Sequence, residues 1–300
     1  CSQASPQLAD LIITENQIVT NDSLVSRGGG IACNMASPSL TNLKISNNSH
    51  SGIYLSNYAS PTLNKVEITD NEEEGIVCSF YSNPELKNVL IADNGSTGLK
   101  CVNDSEPTVI NGTITGHSGY GMSVNNSSAT IVNSIIFNNA PTQLFVYSQG
   151  SVIIAYSDIQ GGAGGITTMS GNFEMLGADY DIEPDFTDPA SGDYSLQISS
   201  GCIDMGTDYF ELDGNTLINA AEGEYFGYYP DPGCYEFGTP PGLPGDINYD
   251  GSLNVVDVVT LVGSIVESNP TNYQLWAGDL NQDSFVNVVD VVALVNEILG

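Results

Sequence analysis

SLTNLKISNNSHSGIYLSNYASPTLNKVEITDN, residues Ser39 to Asn71, states a pattern and then begins it again: Leu40 returns as Leu63, Ile45 as Ile68 and Asn48 as Asn71. Outward from there the phrase recurs as KNVLIADN and VNSIIFNN, with a period of 22 or 23 residues. Aligned on it, Ile13, Ile45, Ile68, Ile91, Ile114, Ile136 and Ile159 form one column, and Leu8, Leu40, Leu63, Leu86, Val109, Ile131 and Ile154 a second. A third runs Ile31, Ile53, Ile76, Leu99, Met122 and Leu144. Apolar pairs such as Ile31 with Cys33 alternate at strand period, and Gly, Asn and Pro interrupt them too often for helices. A leucine-rich repeat of similar length would show LxxLxL and a helical second half, and neither is present. The pattern predicts a mainly β fold, a right-handed parallel β-helix with three short strands per coil.

The turns carry their own columns. Asn16, Asn48, Asn71, Asn94, His117 and Asn139 stand three residues after the first column, where stacked amides can bond from coil to coil. Gly52, Gly75, Gly98 and Gly121 are expected to supply positive φ before the chain re-enters a strand. Cys33, Cys78 and Cys101 share an inward column with Leu55 and Val124, and Cys1 joins it by the match of CSQASP to CNMASP. In-register side chains point the same way, which favours buried thiols over disulfides. Cys202 and Cys234 lie outside the repeat, and whether they form a disulfide stays open.

A second repetition closes the chain: GDINYDGSLNVVDVVTLV from Gly245 and GDLNQDSFVNVVDVVALV from Gly278. Each puts Asp, Asn, Asp, Asn and Asp at positions 1, 3, 5, 9 and 12 of a loop, the spacing at which alternate residues turn oxygens onto calcium while position 7 lends its carbonyl. The first loop offers Asp246, Asn248, Asp250, the Ser252 carbonyl, Asn254 and Asp257. The second offers Asp279, Asn281, Asp283, the Phe285 carbonyl, Asn287 and Asp290. Two calcium ions are expected. At position 6 the first loop has Gly251 and the second Ser284, whose side chain disfavours a left-handed backbone, so the second site is expected to bind more weakly. Helices are expected over Val258 to Val266 and Val291 to Leu299, with no comparable helix ahead of either loop.

This paired loop-helix segment, Gly245 to Gly300, resembles a dockerin of type I, with Asp in place of Glu at position 12. The resemblance implies docking onto a cohesin module. Positions 10 and 11, which help dockerins choose their cohesin and are often hydroxyl residues, are here Val255, Val256, Val288 and Val289, implying an apolar contact. Residues Glu183 to Phe186, Gly192 to Leu196, Cys202 to Gly206 and Tyr235 to Phe237 resemble the closing segment of bacterial β-helix proteins of the pectate-lyase-like superfamily. The expected organisation is a β-helix with its cap over 1–237, truncated at its N-terminus because Cys1 falls in mid-repeat, then a Pro/Gly linker over 238–244 and a dockerin-like domain over 245–300.

The charge of −31, with Arg27, Lys44, Lys65, Lys87 and Lys100 as the only lysines and arginines, leaves nothing to neutralise phosphates and excludes nucleic acid as a partner. It also sets neutral polysaccharides ahead of polyanions. No apolar run is long enough to cross a bilayer, so membrane insertion is not expected. Calcium sites of this kind suit a secreted bacterial protein. The catalytic candidates are weak: Arg27 in an inserted loop reads better as an exposed loop cation, and Asp70 stacked over Asp93 and His50 near Glu73 read better as solvated turns. Tyr225, Tyr228 and Tyr229 suit either a sugar platform or a cap. Three readings stand: a dockerin-bearing protein that binds or processes extracellular polysaccharide, a polysaccharide lyase or glycoside hydrolase, and a non-catalytic surface or adhesion protein.

Overall fold

The computed structural model describes residues 1–17, 28–221, 224–238, 243–267 and 270–300. Arg27 and most of the expected linker lie outside these residues. Two compact units are present, one of Cys1–Ile182 with Pro232–Cys234, the other of Glu183–Asp231 with Tyr235–Gly300.

The first unit is a solenoid of parallel strands. One sheet orders Gln7–Thr14, Ser39–Ser46, Thr62–Thr69, Glu85–Ala92, Thr108–Thr115, Ser128–Val132, Ser151–Ala155 and Asn172–Leu176. The second orders Gly28–Asn34, Ser51–Ser56, Ile76–Ser79, Leu99–Val102, Met122–Asn125, Leu144–Tyr147 and Ile166–Met169. The register is that of the sequence columns: Ile45 pairs with Ile68 and Ile68 with Ile91, while Ile53 pairs with Ile76 and Ile76 with Leu99. From Leu40 onward these columns are buried and form one continuous core. At about 1.5–3 kcal/mol for each fully buried Leu or Ile, the stacked columns supply the main driving force of the coil.

The amide column forms a hydrogen-bonded ladder. Asn16 Nδ2 donates to Asn48 Oδ1 at 2.8 Å, Asn48 to Asn71 at 2.9 Å and Asn71 to Asn94 at 2.9 Å. His117 continues it, its Nδ1 accepting from the Asn94 backbone N–H at 3.2 Å while Nε2 faces the Ile91 carbonyl. Burial pushes this imidazole down to about 4, so it stays neutral and Nε2 carries the proton.

The expectation for the glycine column is corrected in its cause. Gly52, Gly75, Gly98 and Gly121 do not have positive φ; a Cβ on Gly75 would stand 2.5 Å from Ile91 Cγ2 and 2.7 Å from the Gly98 carbonyl. These glycines exist because the next coil passes too close. The left-handed corners are taken by polar residues instead, among them Asn42, Lys65, Asn88 and Asn111 in one column and Asn47, Asp70 and Asp93 in another. The six cysteines, Cys202 and Cys234 included, are thiols rather than disulfides.

The second unit contains two antiparallel hairpins, Phe186–Asp188 with Asp193–Leu196 and Tyr209–Leu212 with Asn215–Asn219, and three helices, α1 (Val255–Glu267), α2 (Asn272–Gly278) and α3 (Val288–Leu299). Helix α2, closed by a Thr271–Gln274 capping box, leads into the second loop, where the sequence reading expected no helix of note. Helices α1 and α3 begin three residues earlier than expected. The reason is capping: Asn287 Oδ1 accepts from Val289 N–H, and Asp290 accepts from Asn287 N–H. Asn254 and Asp257 do the same for α1. Among the described residues no helix is long and apolar enough to cross a membrane.

Candidate metal centre and sheet-face groove

The two acidic loops share most of their hydrogen bonds. Asp246 accepts from the N–H groups of Asp250 at 3.0 Å and Gly251 at 2.8 Å, and Asp279 accepts from Asp283 at 3.0 Å and Ser284 at 2.8 Å. Asp257 accepts from Asn248 and Asn254, and Asp290 from Asn281 and Asn287. Asn248 Nδ2 donates to Asp250 Oδ2 at 2.8 Å and Asn281 Nδ2 to Asp283 Oδ2 at 3.0 Å. The position 7 carbonyls of Ser252 and Phe285 each accept from the position 9 amide, of Asn254 and Asn287. Each curl thus turns its carboxylates onto the backbone N–H groups of its own loop. Gly251 sits at φ +80 and Ser284 at φ 68, so the bend is left-handed in both and falls on a side-chain-bearing residue only in the second.

The donor set fits a hard divalent cation. It consists of oxygens alone, with three carboxylates per loop. Asp246, Asp257, Asp279 and Asp290 are buried, and no lysine or arginine follows Lys100 in the sequence to compensate them. Backbone N–H bonds offset part of the cost of burying four carboxylates, and a cation would offset the rest. Among the described residues no three acidic, histidine or cysteine side chains converge on one point. The physical reason is visible in the bonds above: the carboxylates are turned onto backbone amides and neighbouring Asn side chains.

The helices after the loops leave a large apolar surface in water. Val255, Val256 and Val259 on α1 and Val288, Val289 and Val292 on α3 are each at least half exposed. The other side of the module is packed. Tyr249 and Tyr273 and the Trp276 ring join Phe226 and Phe237 of the cap segment in one aromatic cluster, with Phe226 stacked on Tyr273 at 5.5 Å and 4.7 Å from Trp276. Tyr228 O–H donates to Asp279 at 3.3 Å. Tyr228 and Tyr229 flank a cavity of about 480 Å³ that also meets Asp204 and Asp208.

Three carboxylates hold the cap segment's turns. Asp204 accepts from Tyr228 and Tyr229 N–H, Asp231 from Asp204 and Phe237, and Glu236 from Phe226 and Asp231. Burial raises all three above the usual carboxylate range, Asp204 to about 6 and Glu236 to about 7, with Asp231 lifted further by the charge of Glu236.

The catalytic candidates fare differently. Asp70 and Asp93 occupy matching left-handed corners and both are exposed. His50 and Glu73 line one groove of about 560 Å³ on the outward face of the second sheet. Sequence reasoning missed its centre, where Lys100 Nζ meets Glu74 Oε1 at 2.7 Å and Ser51 Oγ donates to Oε2 at 3.0 Å. Burial alone would raise the Glu74 carboxyl, but the Lys100 bond and charge outweigh it and hold it below its ordinary value. The signal was available only as register: Glu74 and Lys100 are 26 residues apart, one coil plus three.

Residues 29–178 match the family described as right handed beta helix region, and residues 244–299 match the dockerin type I domain. No curated protein matches the chain. Among solved structures, the periplasmic alginate epimerase AlgG aligns at 12% identity and a TM-score of 0.39, covering 58% of this chain and 47% of that one. The chain therefore spans about half the length of that epimerase. Pectate lyase Pel9A aligns at 12% identity and a TM-score of 0.24, covering 76% of this chain and 97% of the lyase. Neither alignment is close enough to carry an argument. Type I dockerin domains generally bind calcium and dock onto cohesin modules. The chain belongs to the right-handed β-helix family and ends in a type I dockerin domain.

Proposed function

We propose that this is a secreted bacterial protein whose β-helix binds extracellular polysaccharide and whose dockerin docks it, in a calcium-dependent way, onto a cohesin-bearing partner. The observation that carries the docking half is the hydrogen-bond pattern that the two acidic loops largely share. Asp246, Asn248, Asp250, Ser252, Asn254 and Asp257 would hold one ion, and Asp279, Asn281, Asp283, Phe285, Asn287 and Asp290 another. Bound calcium supplies the positive charge these loops lack. The second site is the weaker one, because Ser284 must hold φ 68. Val255, Val256, Val288 and Val289, all exposed at the starts of α1 and α3, are the contact positions. The polysaccharide half rests on the resemblance to secreted β-helix proteins and on the groove of the second sheet; the excess of negative charge favours neutral chains.

The test is a titration of the whole chain against a purified type I cohesin, in calcium and in chelator. Complex formation in calcium alone, lost in an Asp246→Ala, Asp279→Ala double variant, is the expected result. Binding that survives the chelator, or a double variant that binds as the parent does, would refute the docking reading.

A further inference from the structure

After Ser51–Ser56, Ile76–Ser79 and Leu99–Val102 the chain turns a left-handed corner, and on these successive coils one position of that corner holds Tyr58, Tyr81 and Asp104, at φ 64, 60 and 60. Asn or Asp suits such a backbone and tyrosine does not, yet tyrosine stands there on two adjacent coils. The main chain keeps the three in line. Tyr58 N–H donates to the Phe80 carbonyl at 2.9 Å, Tyr81 N–H to the Asn103 carbonyl at 3.0 Å and Asp104 N–H to the Asn126 carbonyl at 2.7 Å. The Tyr58 and Tyr81 rings therefore leave the coil side by side and stack, with centroids 5.0 Å apart and planes 8° from parallel. They are 67% and 46% exposed, so a reagent in solution reaches both. The charge of Asp104, and the hydrogen bond it accepts from the Tyr81 hydroxyl, raise that phenol above its ordinary value. The Tyr249–Tyr273 pair lacks these features: its rings meet edge to face at 80°, and Tyr273 is buried.

We propose that Tyr58 and Tyr81 form an oxidative cross-linking site, at which a one-electron oxidant of the haem-peroxidase class, using hydrogen peroxide, joins neighbouring coils through a dityrosine bond. Each phenol gives one electron to the oxidant and loses its hydroxyl proton, that of Tyr81 to Asp104 and that of Tyr58 to water. The two phenoxyl radicals then bond through one ring carbon ortho to oxygen on each side. The hydrogens on those carbons move to the oxygens and restore both phenols. One peroxide takes up the two electrons and two protons released and becomes two waters. Because the partner ring is already in contact when a radical forms, coupling within the chain outruns the meeting of two molecules. The exposed ring edges can swing from stacked to joined with the backbone in place. The bond closes the segment from Tyr58 to Tyr81 and so removes freedom from the unfolded chain. This inference rests on neither the calcium nor the polysaccharide reading.

Horseradish peroxidase and hydrogen peroxide, acting on the whole chain in dilute solution, test this. Dityrosine fluorescence should appear in protein that still runs as a monomer on a denaturing gel. Cleavage of the denatured product by trypsin at Lys44, Lys65 and Lys87 should release peptides 45–65 and 66–87 joined, lighter than their sum by two hydrogens. Tyr58→Phe and Tyr81→Phe keep the rings and should each abolish the joined pair, whereas Tyr54→Phe, in the same peptide as Tyr58, should leave it unchanged. Asp104→Asn should slow coupling several-fold, and the cross-linked parent should melt above the untreated chain. Melting scans of the untreated variants confirm that each is folded. Absence of dityrosine, fluorescence confined to gel dimers, or a joined pair that survives either Tyr58→Phe or Tyr81→Phe would overturn the site. Coupling at the parent rate in Asp104→Asn would overturn the role given to that carboxylate, and an unchanged melting temperature would overturn the staple.

Discussion

At the scale of single residues, the coil is limited by space and the cap segment by charge. Gly75 has ordinary φ and no room, so Gly75→Ala should force Ile91 and the facing carbonyl apart and cost about 1–3 kcal/mol, measurable as a lower melting temperature. Charge works differently in the cap. Asp204 and Glu236 titrate higher in the folded chain than in the unfolded one, so their stabilising contribution is complete below about pH 4 and fades as pH rises through 6 and 7. Asp204→Asn keeps an oxygen for the Tyr228 and Tyr229 amides and removes the charge. With calcium in excess throughout, the variant should match its parent at pH 4 and exceed it by roughly 2 kcal/mol at pH 7.5. Equal stability at both pH values would contradict this assignment.

At the scale of elements, the 23-residue period is legible because every coil repeats the same inward residues, and Ile45, Ile68 and Ile91 pair in the register their spacing implies. What the glycine column is for is not legible, because the atoms that forbid a Cβ belong to the neighbouring coil. The paired acidic loops are legible as a repeated spacing of Asp and Asn, whereas the true starts of α1 and α3 are not. Positions 9 and 12 serve there as caps, drawing Val255 to Asp257 and Val288 to Asp290 into the helices. The groove is the least legible part, since Lys100 and Glu74 meet only through coil register. Position 6 gives a direct comparison between the two loops. Ser284→Gly should relieve about 1 kcal/mol of left-handed strain and tighten the second loop's calcium binding about fivefold, as read by calorimetry.

At the scale of the whole molecule, the cap segment and the dockerin share one compact unit and one aromatic cluster. Tyr249 of the first acidic loop packs on Phe237, and Tyr228 bonds to Asp279 of the second, so both loops are tied to the segment that carries Tyr228 and Phe237. Cap and helices should therefore open together. Phe226→Ala, which empties a fully buried ring site, should cost about 3–5 kcal/mol and expose both the 209–219 hairpin and α2 to protease at the same rate. Hairpin cleavage with the helices left intact would show them to be independent.

Calcium binding by the whole chain is the measurement on which most depends. Isothermal calorimetry should show two binding events, the stronger lost in Asp246→Ala and the weaker in Asp279→Ala, with the second unit melting higher as each site fills. No heat of binding, or uptake unchanged by both substitutions, would contradict a calcium-built docking module.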